Sequence, residues 1–338
     1  MIGPIRQMLH VALLLGALAV PVALMPDIRP APPSPIAPPI DAKRIALSFD
    51  DVPRGPGAFY DPIQRTGILI GALRDAGVGQ AAFFVNPSRI GPRTGGDARV
   101  MAYVAAGHVI ADHSFSHRDA SRLSADAFLT DVDKAEAWLK GRRGYRPWFR
   151  FPGLDQGGHD MDKHRALLAG LQARGLLVAA VTVDGSDWNI ERLAADTHKA
   201  GKPLDDAALR DLYVETMVQA ADFSDAVMRK AIGRSPAHML LLHETDLAAR
   251  YVGPLVAALR KDGWQIVDAD TAYADPVYRQ PLAVPSNGTL TEALGWEKHV
   301  GGPLSYDRTE PRIGNRLFAE RVLRPAVAAA PATAANPG

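Results

Sequence analysis

Two adjacent carboxylates, Asp50 and Asp51, end an apolar run in the stretch SFDDVPRGPG. Neighbouring like charges repel each other, and the end of a strand offers little to neutralise them. In one interpretation the pair lies in a solvated turn before Pro53, with Arg54 as an ion-pair partner. In the other, a divalent metal holds one aspartate ionised while the second accepts a proton. The choice depends on which other side chains share the site.

A pair of histidines, His113 and His117, follows another apolar run in DHSFSH. Their spacing of four predicts a helical turn that projects both rings from one face, where they can bind one ion. Two histidines and one carboxylate also leave positions open for water and substrate. Taken alone the spacing is unspecific, because surface helices carry it by chance. Its place at a strand end, beside a candidate acidic ligand, favours a metal site.

Further polar groups mark three more apolar runs. Arg150 lies within WFRFP, Asp184 and Asp187 follow LVAAVTV, and His243 ends MLLLH, with Glu244 after it. A nearby arginine keeps a carboxylate ionised and oriented. A histidine bonded to a carboxylate has a fixed tautomer and a raised pKa, as a general acid needs. Because each set lies at the same end of its own segment, parallel strands would gather them at one mouth.

The runs that carry these residues alternate with amphipathic helical patterns. We predict strands over 44–49, 81–85, 108–111, 148–152, 177–183, 239–243 and 265–268. We predict helices over 64–76, 125–140, 164–174, 204–231 and 254–262. Several strands are apolar throughout, as in sheets covered on both faces, and the alternation indicates a parallel α/β sheet. Seven strands in succession favour a barrel, whose functional groups collect at the carboxyl ends of the strands.

Composition excludes several other classes. The 38 basic and 37 acidic residues nearly cancel, and no basic block gives the footprint of a nucleic-acid-binding protein. The absence of cysteine excludes a thiol nucleophile, a disulfide framework and a thiolate metal site. The sequence also lacks the G-x-S-x-G elbow of serine hydrolases and the G-x-x-x-x-G-K-[ST] phosphate-binding loop.

Both ends of the chain differ in composition from its body. Residues 1–25 carry one arginine and then a charge-free apolar run, which predicts a signal peptide or N-terminal anchor. We therefore expect an exported protein, periplasmic or secreted, which an uncleaved segment would tether to the inner membrane. The proline-rich residues 26–42 predict an extended linker, and the Ala/Pro residues 324–338 predict a disordered tail.

In their order and at their strand ends, SFDD, HSFSH, RFPG, DGSDW and LLLHE resemble the five motifs of the polysaccharide deacetylases, the NodB-homology carbohydrate esterases. FDD with H-S-x-x-H is a specific combination, whereas the last three motifs are looser. The resemblance covers roughly residues 43–270. FDDVP, DPVYRQP and a long insertion over 196–231 are similar to a branch of exported members. The resemblance implies a distorted (β/α)7 barrel over 43–275, with residues 276–323 as an extension that packs on it.

The resemblance also implies a metal-dependent hydrolase that removes N-acetyl groups from a glycan, such as peptidoglycan, a chitin-like polymer or another exopolysaccharide. Its metal ligands would be Asp51, His113 and His117. The metal is usually zinc in this family, with Co²⁺, Mn²⁺ and Fe²⁺ as alternatives. The partner expected is thus a carbohydrate and not a nucleic acid.

The remaining roles follow from the same motifs. Asp50 would be the general base that deprotonates the metal-bound water, with Arg150 orienting it. His243 would be the general acid that protonates the leaving amine. A carboxylate of DGSDW would support His243, with Asp187 as the first choice and Asp184 as the second.

Three departures from the family pattern concern the groove. The first motif has no glycine after its two aspartates, the third has Gly153 where an aromatic residue is common, and the fifth has Glu244 where aspartate is frequent. Gly153 would reshape the substrate groove, and Trp188 would either line that groove or pack in the core. None of these changes removes a ligand, the base or the acid, so we expect an active enzyme.

Two alternatives remain open at this stage. One is a hydrolase of the same fold that acts on another C–N bond or on an O-acetyl ester. The other is a barrel that binds a glycan without turning it over, against which the retained acid, base and ligands argue.

Overall fold

The computed structural model describes residues 42–280, 282 and 287–323. The predicted export segment, residues 26–41 of the predicted linker and the predicted tail lie outside these ranges. Within them, no helix combines the length and the apolar character needed to cross a membrane.

Parallel strands form the centre of the domain. They are β1 (Arg44–Val52), β2 (Ala82–Val85), β3 (Val109–Asp112), β4 (Tyr145–Phe149), β5 (Leu177–Val178), β6 (Val183–Asp184), β7 (Ala237–His243) and β8 (Gln265–Ile266). Their order in the sheet is β5-β4-β3-β2-β1-β7-β6, and β8 pairs with the start of β1. All the pairings are parallel, so the carboxyl ends of the strands meet at one edge.

Helices surround the sheet. They are α1 (Pro62–Asp75), α2 (Gly96–Ala105), α3 (Ala125–Leu139), α4 (Met161–Ala173), α5 (Asp187–Lys199), α6 (Asp206–Ile232), α7 (Asp246–Lys261), α8 (Ala269–Tyr273), α9 (Leu290–Glu297) and α10 (Pro311–Arg321). Several begin at a side-chain cap that satisfies free backbone N–H groups, as Asp61 does for α1 and Thr245 for α7.

The two edge strands, β5 and β6, are separated along the chain only by residues 179–182. Ala179 N–H donates to Phe149 O on the β4 side at 2.7 Å, and Thr182 N–H donates to Met239 O on the β7 side at 3.2 Å. The step from β5 to β6 can span at most about 18 Å, so the sheet must curl until its edges lie close together. The seven strands of this curled path confirm the predicted distorted (β/α)7 barrel.

Side chains alternate between the two faces of each strand. On β1, Ile45, Leu47 and Phe49 are fully buried in the cluster that also contains the apolar faces of α1, α6 and α7. Ala46 instead belongs to the interior cluster, with Phe84 and other inward side chains. The same alternation directs Asp50 into the mouth of the barrel.

The predicted elements are mostly confirmed, and three differ for identifiable reasons. The continuous apolar run 177–183 is two short strands, because the chain changes sheet edge in its middle. The strand predicted over 148–152 lies earlier, at β4 (Tyr145–Phe149). It ends there because a short 3-10 helix, Pro152–Leu154, follows with Phe151 as its N-cap. The last predicted helix begins earlier, at Asp246, and contains Pro254 inside it. Helices α2, α5, α8, α9 and α10 were not predicted.

Residues beyond the barrel strands pack against its helices. Helix α9 contacts α6, and α10 contacts both α5 and α6. Leu294 of α9 and Phe318 of α10 are buried in this contact region. The domain boundary at residue 275 stays a prediction.

Candidate active site

Asp50 lies at the carboxyl end of β1, in register with His243 at the end of β7. Its Oδ1 accepts a hydrogen bond of 2.6 Å from the guanidinium of Arg150. Arg150 is itself fixed in the interior, because it donates to Tyr273 OH at 2.6 Å and to Ala179 O at 3.0 Å. The second oxygen of Asp50 faces His113 Nε2 at 3.6 Å. Arg150 therefore holds one oxygen of Asp50, and the other oxygen faces His113.

Asp51, His113 and His117 converge, and one ligand atom from each lies within 4.8 Å of the others. Asp51 Oδ1 is 2.9 Å from His117 Nε2 and 3.9 Å from His113 Nε2. His113 Nδ1 contacts Arg150 O at 2.9 Å, which leaves Nε2 directed at the carboxylates. Burial lowers the pKa of His113 to about 4, so this ring is neutral and able to bind a metal.

This donor set fits a divalent ion. Asp51 Oδ1 is buried and accepts no hydrogen bond of good geometry within the described part of the chain. Burial opposes ionisation of Asp51, yet His117, Arg89 and His243 hold its pKa well below the usual value. Arg89 lies 3.0 Å from this oxygen without forming a hydrogen bond of good geometry, and the oxygen also faces two imidazole nitrogens, so a bound cation would satisfy it.

The two histidines do not lie on a helical turn, and that expectation was wrong. Residues 113–119 form an irregular loop in which Ser114 has a φ of 62° and His117 a φ of 57°. Asp112 Oδ1 accepts from Ser114 N–H at 2.6 Å, and Ser114 Oγ accepts from His117 N–H at 3.0 Å. These side chains hold left-handed backbone that costs free energy for residues other than glycine. The convergence of the rings comes from this loop and not from helical spacing.

His243 is paired with Asp187, the first-choice carboxylate of DGSDW. Its Nδ1 lies 2.7 Å from Asp187 Oδ1, and its backbone N–H donates to Asp187 Oδ2 at 2.9 Å. Burial disfavours the charged ring, but Asp187, with Asp51 and Asp50 beyond it, raises the pKa of His243 to about 9. Asp184 Oδ1 instead accepts from Ser186 N–H at 2.6 Å, and burial raises its pKa to about 6.

A cleft of about 400 Å³ joins these groups. This volume lies within the range of small-molecule sites. The cleft is lined by Asp50, Asp51, Arg54, His113, His117, Gly153, Leu154, Trp188, Arg192, Leu241 and His243. Trp188 is 40% exposed, so it lines the cleft and does not pack in the core. Gly153 has a φ of 58°, a conformation that favours glycine over the aromatic residue common at this position.

Three further residues support the ligands, and of these only Arg54 was named from the sequence, as an ion-pair partner of the two aspartates. Arg89 approaches Asp51 Oδ1 at 3.0 Å, and Arg54 donates to Asp51 Oδ2 at 2.9 Å. Asn86 donates to His113 O at 2.5 Å and to Ser114 O at 3.0 Å. Sequence reasoning missed Asn86 and Arg89, although the strand-end rule points to them, since both lie in the segment that follows β2.

Glu244 explains two of the departures from the family pattern together. It is fully buried and accepts from Arg54 N–H at 2.6 Å, from Tyr103 OH at 2.7 Å and from the guanidinium of Arg99. The residue after His243 therefore fixes the loop that follows Asp51, where the family glycine is missing. Among the described residues, the Glu244 side chain forms no hydrogen bond with His243 or Asp51.

Comparison with known proteins gives one family and several distant structures. Residues 38–172 match the family model described as polysaccharide deacetylase. This match confirms the resemblance drawn from SFDD, HSFSH and RFPG, while DGSDW and LLLHE lie beyond the matched residues. Among curated proteins, none matches the sequence.

Three solved structures show how low the similarity in sequence and structure is. A family 4 carbohydrate esterase from Streptomyces lividans, in complex with acetate, is 20% identical, with a TM-score of 0.44, over 66% of this chain and 90% of that one. A peptidoglycan deacetylase from Bacillus subtilis is 21% identical, with a TM-score of 0.43, over 70% and 92% of the two chains. The catalytic domain of a peptidoglycan N-acetylglucosamine deacetylase from Eubacterium rectale ATCC 33656 is 22% identical, with a TM-score of 0.48, over 70% and 92%. These similarities are too distant to carry over a substrate.

Proposed function

We propose, from the match of residues 38–172 to the polysaccharide deacetylase family model, that this protein is a metal-dependent hydrolase that removes N-acetyl groups from a glycan. The observation that supports this proposal best is the joint arrangement in one cleft. Three candidate ligands converge, a carboxylate beside them is oriented by a buried arginine, and a histidine is paired with a buried aspartate.

Asp51, His113 and His117 would hold the metal. A divalent ion there would polarise the acetyl carbonyl and lower the pKa of water beside it. Two imidazoles and a carboxylate with open positions make zinc the first candidate, and Co²⁺, Mn²⁺ and Fe²⁺ remain alternatives.

Asp50 is the proposed general base. Its Oδ1 is held by Arg150, which fixes the plane of the carboxylate. Its Oδ2 faces the candidate ligand His113, where it can accept a proton from the water that attacks the acetyl carbon.

His243 is the proposed general acid. The Asp187 contact takes its Nδ1 and leaves Nε2 for the substrate. With a pKa raised to about 9, the ring is protonated at neutral pH and can give its Nε2 proton to the amide nitrogen. The C–N bond then breaks, and acetate and the free amine of the sugar are released.

The test is acetate release from a panel of chitooligosaccharides, peptidoglycan and O-acetylated glycans. We expect release from at least one N-acetylated member, loss of activity with a chelator and recovery when zinc is added back. Release only from O-acetylated glycans would show that the substrate is an O-acetyl ester and not an N-acetyl amide. Glycan binding without release from any member would favour a non-catalytic barrel and overturn the proposal.

A further inference from the structure

The cleft carries more positive charge than its proposed chemistry uses. Arg54 and Arg192 both line it, in addition to His243 and the candidate metal ligands. Arg54 gives one hydrogen bond to the candidate ligand Asp51. Among the described residues, Arg192 bonds only Asn189 and Asp196, so neither arginine holds the proposed base or the proposed acid. Their presence at the opening therefore needs a separate explanation.

The acidic groups of the cleft have other partners nearby. Asp50 is paired with Arg150 at 2.6 Å, deep in the barrel. Asp51 has Arg89 at 3.0 Å in addition to Arg54 at 2.9 Å, and a divalent ion there would compensate its charge without either arginine. Asp187 is paired with His243. The charge of the cleft thus becomes more positive when the site is loaded.

Arg54 is positioned by the backbone of its own loop. Glu244 accepts from its N–H, and Arg99 donates to its carbonyl oxygen at 3.0 Å. Its guanidinium donates one hydrogen bond to Asp51 Oδ2, and no second one is present among the described residues. The side chain is 35% exposed and lines the cleft.

Arg192 lies one helical turn after Trp188 on α5, so both side chains project from the same face of the helix. It donates to Asn189 Oδ1 at 2.8 Å and, at 3.3 Å, to the exposed Asp196. Its side chain is 47% exposed. An exposed aromatic ring with a cation beside it suits a sugar ring that carries an anionic group.

We propose that the cleft selects an acidic glycan, in which a carboxylate on or next to the N-acetylated sugar pairs with Arg54 and Arg192. The glycan nature of the ligand rests on the proposed function, whereas the requirement for a negative charge rests on the two arginines. Guanidinium groups bind carboxylates through paired N–H donors, so a carboxylate is the group expected.

The test is a binding comparison that isolates the charge. The full-length Asp50→Asn protein loaded with zinc is titrated with a tetrasaccharide of alternating N-acetylglucosamine and glucuronic acid, and with its carboxyl-reduced form. We expect the acidic form to bind about tenfold more tightly at low salt, with the difference shrinking at high salt. Equal binding of the two forms would overturn the inference.

Substitution then assigns the preference to residues. Arg192→Gln, and separately Arg54→Gln, should each reduce the ratio of acidic to neutral affinity several-fold. Arg74→Gln is the matched control, because Arg74 is exposed on α1 and absent from the cleft lining, and its ratio should not change. A preference that survives both cleft substitutions would contradict the assignment.

These outcomes are independent of turnover. Acetate release from any N-acetylated glycan by the unmodified protein tests the proposed function. The affinity ratio tests only the charge preference. If the protein releases acetate but binds both forms equally, only the charge preference is wrong. If it prefers the acidic form but releases no acetate, only the proposed function is wrong.

Discussion

Asp50 and Asp51 are neighbours in sequence, yet they carry different tasks in the proposed site. In a regular strand, consecutive side chains point to opposite faces. Asp51 has a φ of 70°, which turns its carboxylate toward the histidines while Asp50 points at Arg150. Two adjacent carboxylates thus share one cleft without sharing the same partners.

Substitutions should separate these two tasks. In Asp50→Asn the three candidate ligands remain, so we expect zinc content to be retained while acetate release falls by 10²–10⁴-fold or so. In His113→Ala both should be lost. Metal content by elemental analysis and acetate release on the same samples provide the measurement. Wild-type activity in Asp50→Asn would exclude this residue as the base.

The pH dependence should report on His243. As an acid it must be protonated, so the rate should fall as pH rises through its pKa, which the Asp187 carboxylate raises to about 9. A metal bound at Asp51 would lower that value somewhat. Asp187→Asn removes the raising charge, so the alkaline limb of kcat/KM should move to lower pH by roughly one unit or more. An unmoved limb in the zinc-loaded variant would contradict the role of Asp187.

Motif residues were predictable at this scale because the ends of parallel strands meet. The strand-end rule points to Asp50, His113 and His243 from sequence alone. Arg192 could not be found this way, since it lies inside a helix whose orientation depends on tertiary packing. Nor could the choice between Asp184 and Asp187, because both carboxylates follow the same strand.

The loop after β1 is held by buried ionic contacts from the segment that follows β7. Asp246 is fully buried, accepts from Arg65 Nε at 2.7 Å and accepts from the backbone N–H groups of Phe59 and Tyr60 at 2.8 and 3.2 Å. Arg65 also donates to Gly55 O at 3.0 Å. Asp246 and Arg65 therefore anchor the end of this loop that lies beyond Arg54, residues 55–60, to the protein interior.

Asp246→Asn should be strongly destabilising. It leaves the buried Arg65 guanidinium without a charged partner, which costs about 3–5 kcal/mol in the free energy of unfolding. Urea denaturation of the full chain measures this loss. Asp75→Asn is the control, because its pair with Arg74 is exposed, and its effect should be within about 0.5 kcal/mol. A loss below about 1 kcal/mol at Asp246 would show that the pair is not needed.

At the scale of elements, the sequence predicted which segments are strands and helices better than it predicted their first residues and the conformation of the loops between them. The H-x-x-x-H spacing indicated a helix, but spacing carries no information on the sign of the backbone angle φ. Two residues of the loop have the positive φ of left-handed backbone. The last predicted helix began at Pro254, although α7 begins at Asp246 and contains Pro254 inside it.

At the scale of the whole molecule, the alternation of apolar strands and amphipathic helices was sufficient to predict the barrel. The split between β5 and β6 was not predictable, because 177–183 is an apolar run without a turn signal. Closure depends on contacts to β4 and β7, which are distant in sequence.

We also propose that the protein is exported, on the basis of the apolar run in residues 1–25. Fused to a phosphatase that is active only outside the cytoplasm, residues 1–42 should give phosphatase activity in a bacterial host. The same fusion with Leu13→Arg and Leu14→Arg, which interrupt the run, should give none. Equal activity from both fusions would exclude this segment as the signal.

The corner at residues 179–182 has a consequence for how such an enzyme could be re-engineered. The backbone oxygen of Ala179 receives Arg150 and Tyr273, so the peptide that joins the sheet edges also aims the candidate base. Loop grafts elsewhere on the barrel rim could vary the substrate while leaving that aim alone. An insertion at this corner would both separate the two sheet edges and misalign Asp50 through Arg150, so we expect these four positions to tolerate added sequence poorly.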